Sequence, residues 1–157
     1  MAKRSIADIE KIWSNVEGVK KLSDRVVGIG PFGVGLDGIL AFVPGVGAVY
    51  TIGAAGWLLS QAARARATPA TLAQMAFWLG VDTVTTLTGE ALFIPADLVD
   101  VLFPGHLLAA KALQKDIEAT HWVETSEVQA RASGEHERHL ERVRGDARLN
   151  RVVYLHD

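Results

Sequence analysis

The sequence is built around one stretch: Leu36-Asp37-Gly38-Ile39-Leu40-Ala41-Phe42-Val43-Pro44-Gly45-Val46-Gly47. An acidic residue opens a short apolar segment, and Pro44, Gly45 and Gly47 then break it. A related stretch follows, Asp97-Leu98-Val99-Asp100-Val101-Leu102-Phe103-Pro104-Gly105, with its acid, proline and glycine all displaced by the same number of residues. The repeat predicts two related halves, each built around a Pro-Gly turn.

The composition limits the classes of protein to which the chain can belong. Its 157 residues amount to one domain, and 49 % of them are hydrophobic. There is no cysteine, which excludes disulfides, thiolate metal ligands and cysteine nucleophiles. The formal net charge of -2 provides no overall basic field, so we predict no nucleic-acid partner.

The N-terminal segment has the pattern of an amphipathic helix. Ile6, Ile9, Ile12 and Val16 recur at three- and four-residue spacing between residues 5 and about 22. Such a helix docks on the rest of the protein or lies in a membrane interface. There is no apolar core followed by a small-residue cleavage site, so we predict that this segment is not a secretory signal.

Charge divides the chain into three predicted segments. Residues 1–25 form the amphipathic helix, residues 26–122 form an apolar domain of two helical hairpins, and residues 123–157 form a charged helical tail. Between residues 26 and 63, Asp37 is the only charged residue.

Glycine and proline separate the predicted helices of the apolar domain. A short helix over residues 36–43 is followed by one over residues 48–63, whose small side chains would let helix backbones approach closely. Thr68 as N-cap and Pro69 at the first position begin a helix that ends near Leu87. Pro95 opens the second short helix, and a last helix runs from His106 to about residue 120.

These lengths bear on whether the chain enters a membrane. Residues 48–63 give about 24 Å of helix, short of the roughly 30 Å hydrocarbon core, and no stretch of about 20 apolar residues is present. Basic residues flank both hairpins, which predicts that the flanks stay on one side. We therefore predict an all-α protein with two re-entrant hairpins in a bacterial inner membrane and both termini cytoplasmic. A soluble helical bundle is the alternative, because carboxylates such as those of Asp82 and Glu90 are costly in lipid.

The ordered motifs of the middle region resemble a bacterial family, the domain of unknown function 4112. They are Leu36-Asp37 with Pro44-Gly45-Val46-Gly47, then Leu72-Ala73-Gln74-Met75 with Asp82, then Pro95 with Asp97-Leu98-Val99-Asp100. The resemblance covers roughly residues 22–120. It implies a small, helical, membrane-associated protein and no established reaction. Family members usually have aspartate, asparagine and glycine where this chain has Ala48, Trp78 and Ala96.

Four aspartates are the candidate functional residues: Asp37, Asp82, Asp97 and Asp100. One hypothesis places them in a polar pocket between the halves that binds a cation or relays protons. The alternative treats Asp37 and Asp97 as residues that begin helices and Asp82 as a partner of nearby threonines or backbone. The residues predicted to form structural turns are Pro44, Gly45, Gly47, Pro95, Pro104 and Gly105.

Two other motifs do not support a site. Residues 28–33 spell G-x-G-x-x-G, but an amphipathic helix precedes them and no acidic residue follows at the distance that dinucleotide binding requires. His136 and His139 are one residue too close for the zinc motif H-E-x-x-H, and a solvated charged face is the preferred interpretation. We predict no catalytic residue, cofactor or metal.

The sequence favours a non-catalytic, membrane-associated structural or accessory protein. Its hairpins would pack against lipid, a larger membrane protein complex or further copies in a homo-oligomer. One alternative is a small ion- or proton-handling transport module that uses the buried aspartates. A second alternative is a soluble helical interaction domain.

Overall fold

The computed structural model describes residues 4–26, 46–91 and 105–157. Within these residues the chain is mostly helical, with six helices and one pair of short strands. The elements in chain order are α1 Ile6–Val26, α2 Val46–Arg64, α3 Pro69–Ala91, α4 Gly105–Glu118, β1 Thr120–Val123, α5 Glu127–Ala132, α6 Glu135–Gly145 and β2 Arg151–Tyr154. The predicted short helices at 36–43 and 95–103 lie outside the described residues, so the repeat of two hairpins stays a prediction.

Helix α1 begins at a reciprocal cap. The Asp8 backbone N–H donates to the Ser5 hydroxyl, and the Ser5 backbone N–H donates to the Asp8 carboxylate at 2.9 Å. Ile9, Ile12 and Val16 are buried, at the spacing of one helical face. The predicted amphipathic helix is therefore confirmed, and it runs about four residues further than its apolar pattern indicates.

The link between α2 and α3 is a tight C-terminal cap. The Ala67 N–H donates to the Ala62 carbonyl and the Arg66 N–H to the Ala63 carbonyl, which is the Schellman pattern. Arg66 takes the left-handed position with φ 48°, where glycine is usual. The chain is thereby turned within a few residues, and α2 and α3 pack against each other as a hairpin.

Helix α3 begins as the sequence predicts. The Thr68 hydroxyl accepts from the Thr71 backbone N–H, and Pro69 occupies the first helical position. Its inward face is the buried set Thr71, Met75, Leu79 and Asp82. On the inward face of α2, Leu58, Gln61 and Ala62 are buried, and so is Ala65 directly after the helix.

The C-terminal region contains a small parallel sheet that the sequence pattern did not predict. Strands β1 and β2 pair in parallel, with Thr120 opposite Arg151 at one end and Val123 opposite Tyr154 at the other. Helices α5 and α6 form the crossover between the two strands. Val123, Ala130 and Tyr154 make a buried cluster against this sheet. The tail is therefore helical only in its middle.

An ion pair fastens β2 to the end of α4. The Arg151 guanidinium donates to the Asp116 carboxylate at 2.8 Å and to the Thr120 hydroxyl at 2.9 Å. The Thr120 hydroxyl in turn donates to the Asp116 backbone carbonyl. The Asp116 side chain is only 5 % exposed, so this network supplies the charge that the buried carboxylate requires.

The chain divides into two compact units: residues 1–15 with 114–157, and residues 16–113. The first unit is discontinuous in sequence, whereas the predicted segments run consecutively along the chain. In the described residues, none of the helices has both the length and the apolar character that a membrane crossing demands.

Candidate functional site

Asp82 is the one candidate aspartate within the described residues. It lies on the inward face of α3, 3 % exposed, and its carboxylate contacts Nδ1 of His106 at the start of α4. The neighbouring Thr83 and Thr85 hydroxyls donate to backbone carbonyls of α3. A buried carboxylate beside an imidazole nitrogen holds the ring in one orientation.

Gly105 makes this contact possible. A Cβ atom at this position would lie 2.5 Å from both the Trp78 carbonyl oxygen and the Asp82 Cβ. No side chain larger than hydrogen fits, because one of the two obstacles is backbone. The predicted turn glycine is thus the first residue of α4 and sets the close approach of α4 to α3.

Most of the other predicted site and turn residues lie outside the described part of the chain. Asp37, Asp97 and Asp100 lie outside the described residues, as do the turn residues Pro44, Gly45, Pro95 and Pro104. Gly47 lies in the first turn of α2, because that helix begins at Val46 and not after the glycine. The pocket of four aspartates therefore stays a prediction.

His106 is a site residue that the sequence did not predict. Its only signal is its place directly after Pro104-Gly105, which puts it in the first turn of the next helix. Its partner, Asp82, is remote in sequence, and only the packing of α4 on α3 brings the two together.

A second feature is the outward face of α3. Ala73, Phe77, Gly80 and Val84 recur at spacings of four and three residues, and all four are exposed. Phe77 and Val84 are 61 % and 62 % exposed, values that are unusual for large apolar side chains. We refer to these four residues as the α3 apolar face.

Helix α2 also exposes apolar and small residues. Ile52 is 55 % exposed, and Gly53 and Gly56 are exposed beside it. No described atom outside the helix backbone lies within 4 Å of a Cβ built at Gly53, Gly56 or Gly80. The predicted close packing of helices at Gly53 and Gly56 therefore does not occur within the described part of the chain, where both glycines, like Gly80, are exposed.

The histidines of the tail are less solvated than their sequence predicts. His136 is buried, and its Nδ1 lies 2.9 Å from the Tyr154 hydroxyl. His139 Nδ1 lies 3.0 Å from His121 Nε2, and burial, with the nearby His139 and Arg142, lowers the pKa of His121. No group of three metal-ligating side chains occurs among the residues the structure describes. These contacts tie β1, α6 and β2 together, which is a structural role.

Comparison with known proteins identifies a family. Neither the curated proteins nor the solved structures contain a match to the chain. A family model matches residues 12–117, which is more than half of the chain and includes Asp82, His106 and the α3 apolar face. The resemblance stated from the sequence is confirmed: the chain belongs to the family described as domain of unknown function 4112.

Proposed function

We propose that the protein is a non-catalytic, membrane-associated accessory protein whose α2–α3 hairpin lies against lipid at the membrane surface. The observation that carries the proposal is the α3 apolar face, where Phe77 and Val84 are each more than half exposed. Exposed apolar patches of this kind are typical of surfaces that bind membranes or protein partners.

The charges of the hairpin favour lipid as the occupant. No charged residue occurs between Val46 and Ala63 or between Ala67 and Val81, whereas Arg64 and Arg66 lie at the turn. An uncharged helical surface enters the boundary between headgroups and acyl chains at little cost, and basic residues near it favour anionic headgroups.

The surface glycines support the same proposal. In a helix exposed to water, Gly53, Gly56 and Gly80 would each cost about 1 kcal/mol relative to alanine with no packing in return. Small residues on an apolar helix surface let acyl chains or the helices of a membrane partner approach the backbone. The three glycines thus have a role when lipid or a partner helix lies against the hairpin.

A charge on the α3 apolar face is expected to weaken membrane binding strongly. The full chain is incubated with vesicles of phosphatidylethanolamine and phosphatidylglycerol and floated through a density gradient. Wild type should float with the vesicles, and Val84→Asp should bind at least about tenfold more weakly, because it removes apolar contact and adds a charge that resists burial.

Val128→Asp is the matched control. Val128 lies on α5 and is 75 % exposed, so it is also an exposed helical valine, but it lies outside the segment that matches the family. Its variant should float like wild type. Wild-type protein that stays at the bottom of the gradient, or equal loss in both variants, would contradict the proposal.

A proton-handling module is the second candidate, and it rests on the pair of Asp82 and His106. Both groups exchange protons, and Asp82 is buried on α3. This candidate requires that vesicles containing the protein dissipate a pH gradient and that Asp82→Asn stops the leak. If the vesicles keep the gradient, the pair has only the structural role of joining α4 to α3.

A further inference from the structure

The unit formed by residues 1–15 and 114–157 contains a cleft of about 320 Å³ that the proposed function does not use. Trp13 of α1 and Trp122 of β1 line it, and Ile9 and Ile117 contribute buried apolar surface. The volume lies at the lower end of the range for small-molecule sites, which are mostly apolar with a few polar groups. The cleft therefore has the size and lining for a compact ligand.

Both indole N–H groups are already engaged within the protein. Trp13 Nε1 donates to the Glu118 carboxylate at 2.9 Å, and Trp122 Nε1 donates to the Ile117 carbonyl at 3.1 Å. With both N–H groups engaged, ring surface is what remains of the two tryptophans for a ligand. Such surfaces attract cations, tryptophan most strongly of the aromatic side chains.

The charges that line the cleft are all negative. Glu10 and Glu118 are exposed lining residues, and neither lysine nor arginine is among the residues that line the cleft. The carboxylates repel an anion and give a neutral apolar molecule no advantage. A cation with an apolar shell gains from the carboxylates and from the indole rings at once.

We propose that the Trp13–Trp122 cleft binds a compact organic cation of the alkylammonium class. Most of the lining residues, including Glu10, Glu118 and Trp122, lie outside the segment 12–117 that matches the family model. The site is thus separate from the α3 apolar face and independent of the proposed function.

Calorimetric titration of the full chain with choline, and in parallel with 3,3-dimethyl-1-butanol, tests the proposal. The alcohol has the shape of choline without its charge. Choline should bind. The alcohol should bind at least about tenfold more weakly, because it lacks the attraction to the indole rings and the carboxylates. Equal affinity for the two probes, or binding of neither, overturns the proposal.

A substitution in the cleft tests whether the Glu118 carboxylate attracts the cation. Glu118→Gln keeps an acceptor for Trp13 Nε1 and removes the negative charge, so choline should bind about two- to fivefold more weakly. Glu141→Gln, an exposed residue of α6, should leave binding unchanged. An unchanged affinity in Glu118→Gln, or the same loss in both variants, overturns the assignment of this cleft.

Vesicles distinguish the two sources of such a cation. If the cleft takes a lipid headgroup, phosphatidylcholine vesicles should bind more tightly than phosphatidylglycerol vesicles, and free choline should displace the protein from them. If it takes a free cation, choline binds without any preference for phosphatidylcholine. Val84→Asp should not change choline binding, so failure of the membrane proposal and failure of this one are told apart.

Discussion

Gly105→Ala is expected to lower the free energy of unfolding by about 3 kcal/mol. The added methyl group would lie 2.5 Å from the Trp78 carbonyl oxygen, and backbone cannot move aside as a flexible side chain does. Helix α4 must shift away from α3, and His106 then separates from Asp82. Denaturation by urea, followed by far-UV circular dichroism, measures the loss.

Gly80→Ala is the matched control for this substitution. Gly80 lies in α3, and no described atom outside the helix backbone lies within 4 Å of where its Cβ would be. The alanine should therefore raise the free energy of unfolding by about 0.5–1 kcal/mol, because it restricts the unfolded chain and has a higher helix propensity. Equal effects of the two substitutions would show that α4 does not approach α3 as described.

Arg151→Met is expected to cost about 2–3 kcal/mol. The substitution keeps an unbranched side chain of similar length but leaves the Asp116 carboxylate, 5 % exposed, without its guanidinium partner. This loss in the free energy of unfolding is smaller than the loss expected for a fully buried ion pair, because the Arg151 side chain is 23 % exposed. Urea denaturation at neutral pH measures the effect, and the double variant Asp116→Leu with Arg151→Met should recover part of the loss.

Arg148→Met tests whether burial is the cause. Arg148 also pairs with an aspartate, Asp146, at 2.8 Å, but its side chain is 87 % exposed. Its replacement should cause no measurable change in stability, since exposed ion pairs contribute little. A loss as large as that of Arg151→Met would contradict the role given to the buried pair.

The sequence predicted the elements whose signals are local. The stripe of Ile9, Ile12 and Val16 indicated α1, and Thr68 with Pro69 indicated the start of α3. Helical periodicity and capping depend on residues within one or two turns of each other, so a single sequence contains them in full. The ordered family motifs likewise depend on sequence alone, and membership is confirmed.

The contacts that escaped prediction join residues remote in sequence. Strands β1 and β2 have four residues each, and two helices separate them. A run of only four residues carries little periodic signal. The burial of His136 against Tyr154 has the same origin, because Tyr154 belongs to a strand that the sequence pattern did not reveal.

The glycines of the hairpin were interpreted in the wrong context. The small residues of the predicted helix over 48–63, Gly53 and Gly56 among them, predicted close contact between helices, and that rule depends on which faces meet. In the structure, α2 turns Leu58 and Ala62 inward, and the glycines lie outside. The same residues now support the proposal that this surface faces lipid.

A fluorescent label shows whether the α3 apolar face contacts lipid, as we propose. Because the chain contains no cysteine, Phe77→Cys and Val128→Cys each create a single attachment point for a polarity-sensitive fluorophore. On addition of phosphatidylethanolamine and phosphatidylglycerol vesicles, emission should shift to the blue and become protected from iodide at position 77 and remain unchanged at position 128. No change at position 77, or the same change at both positions, would contradict the claim.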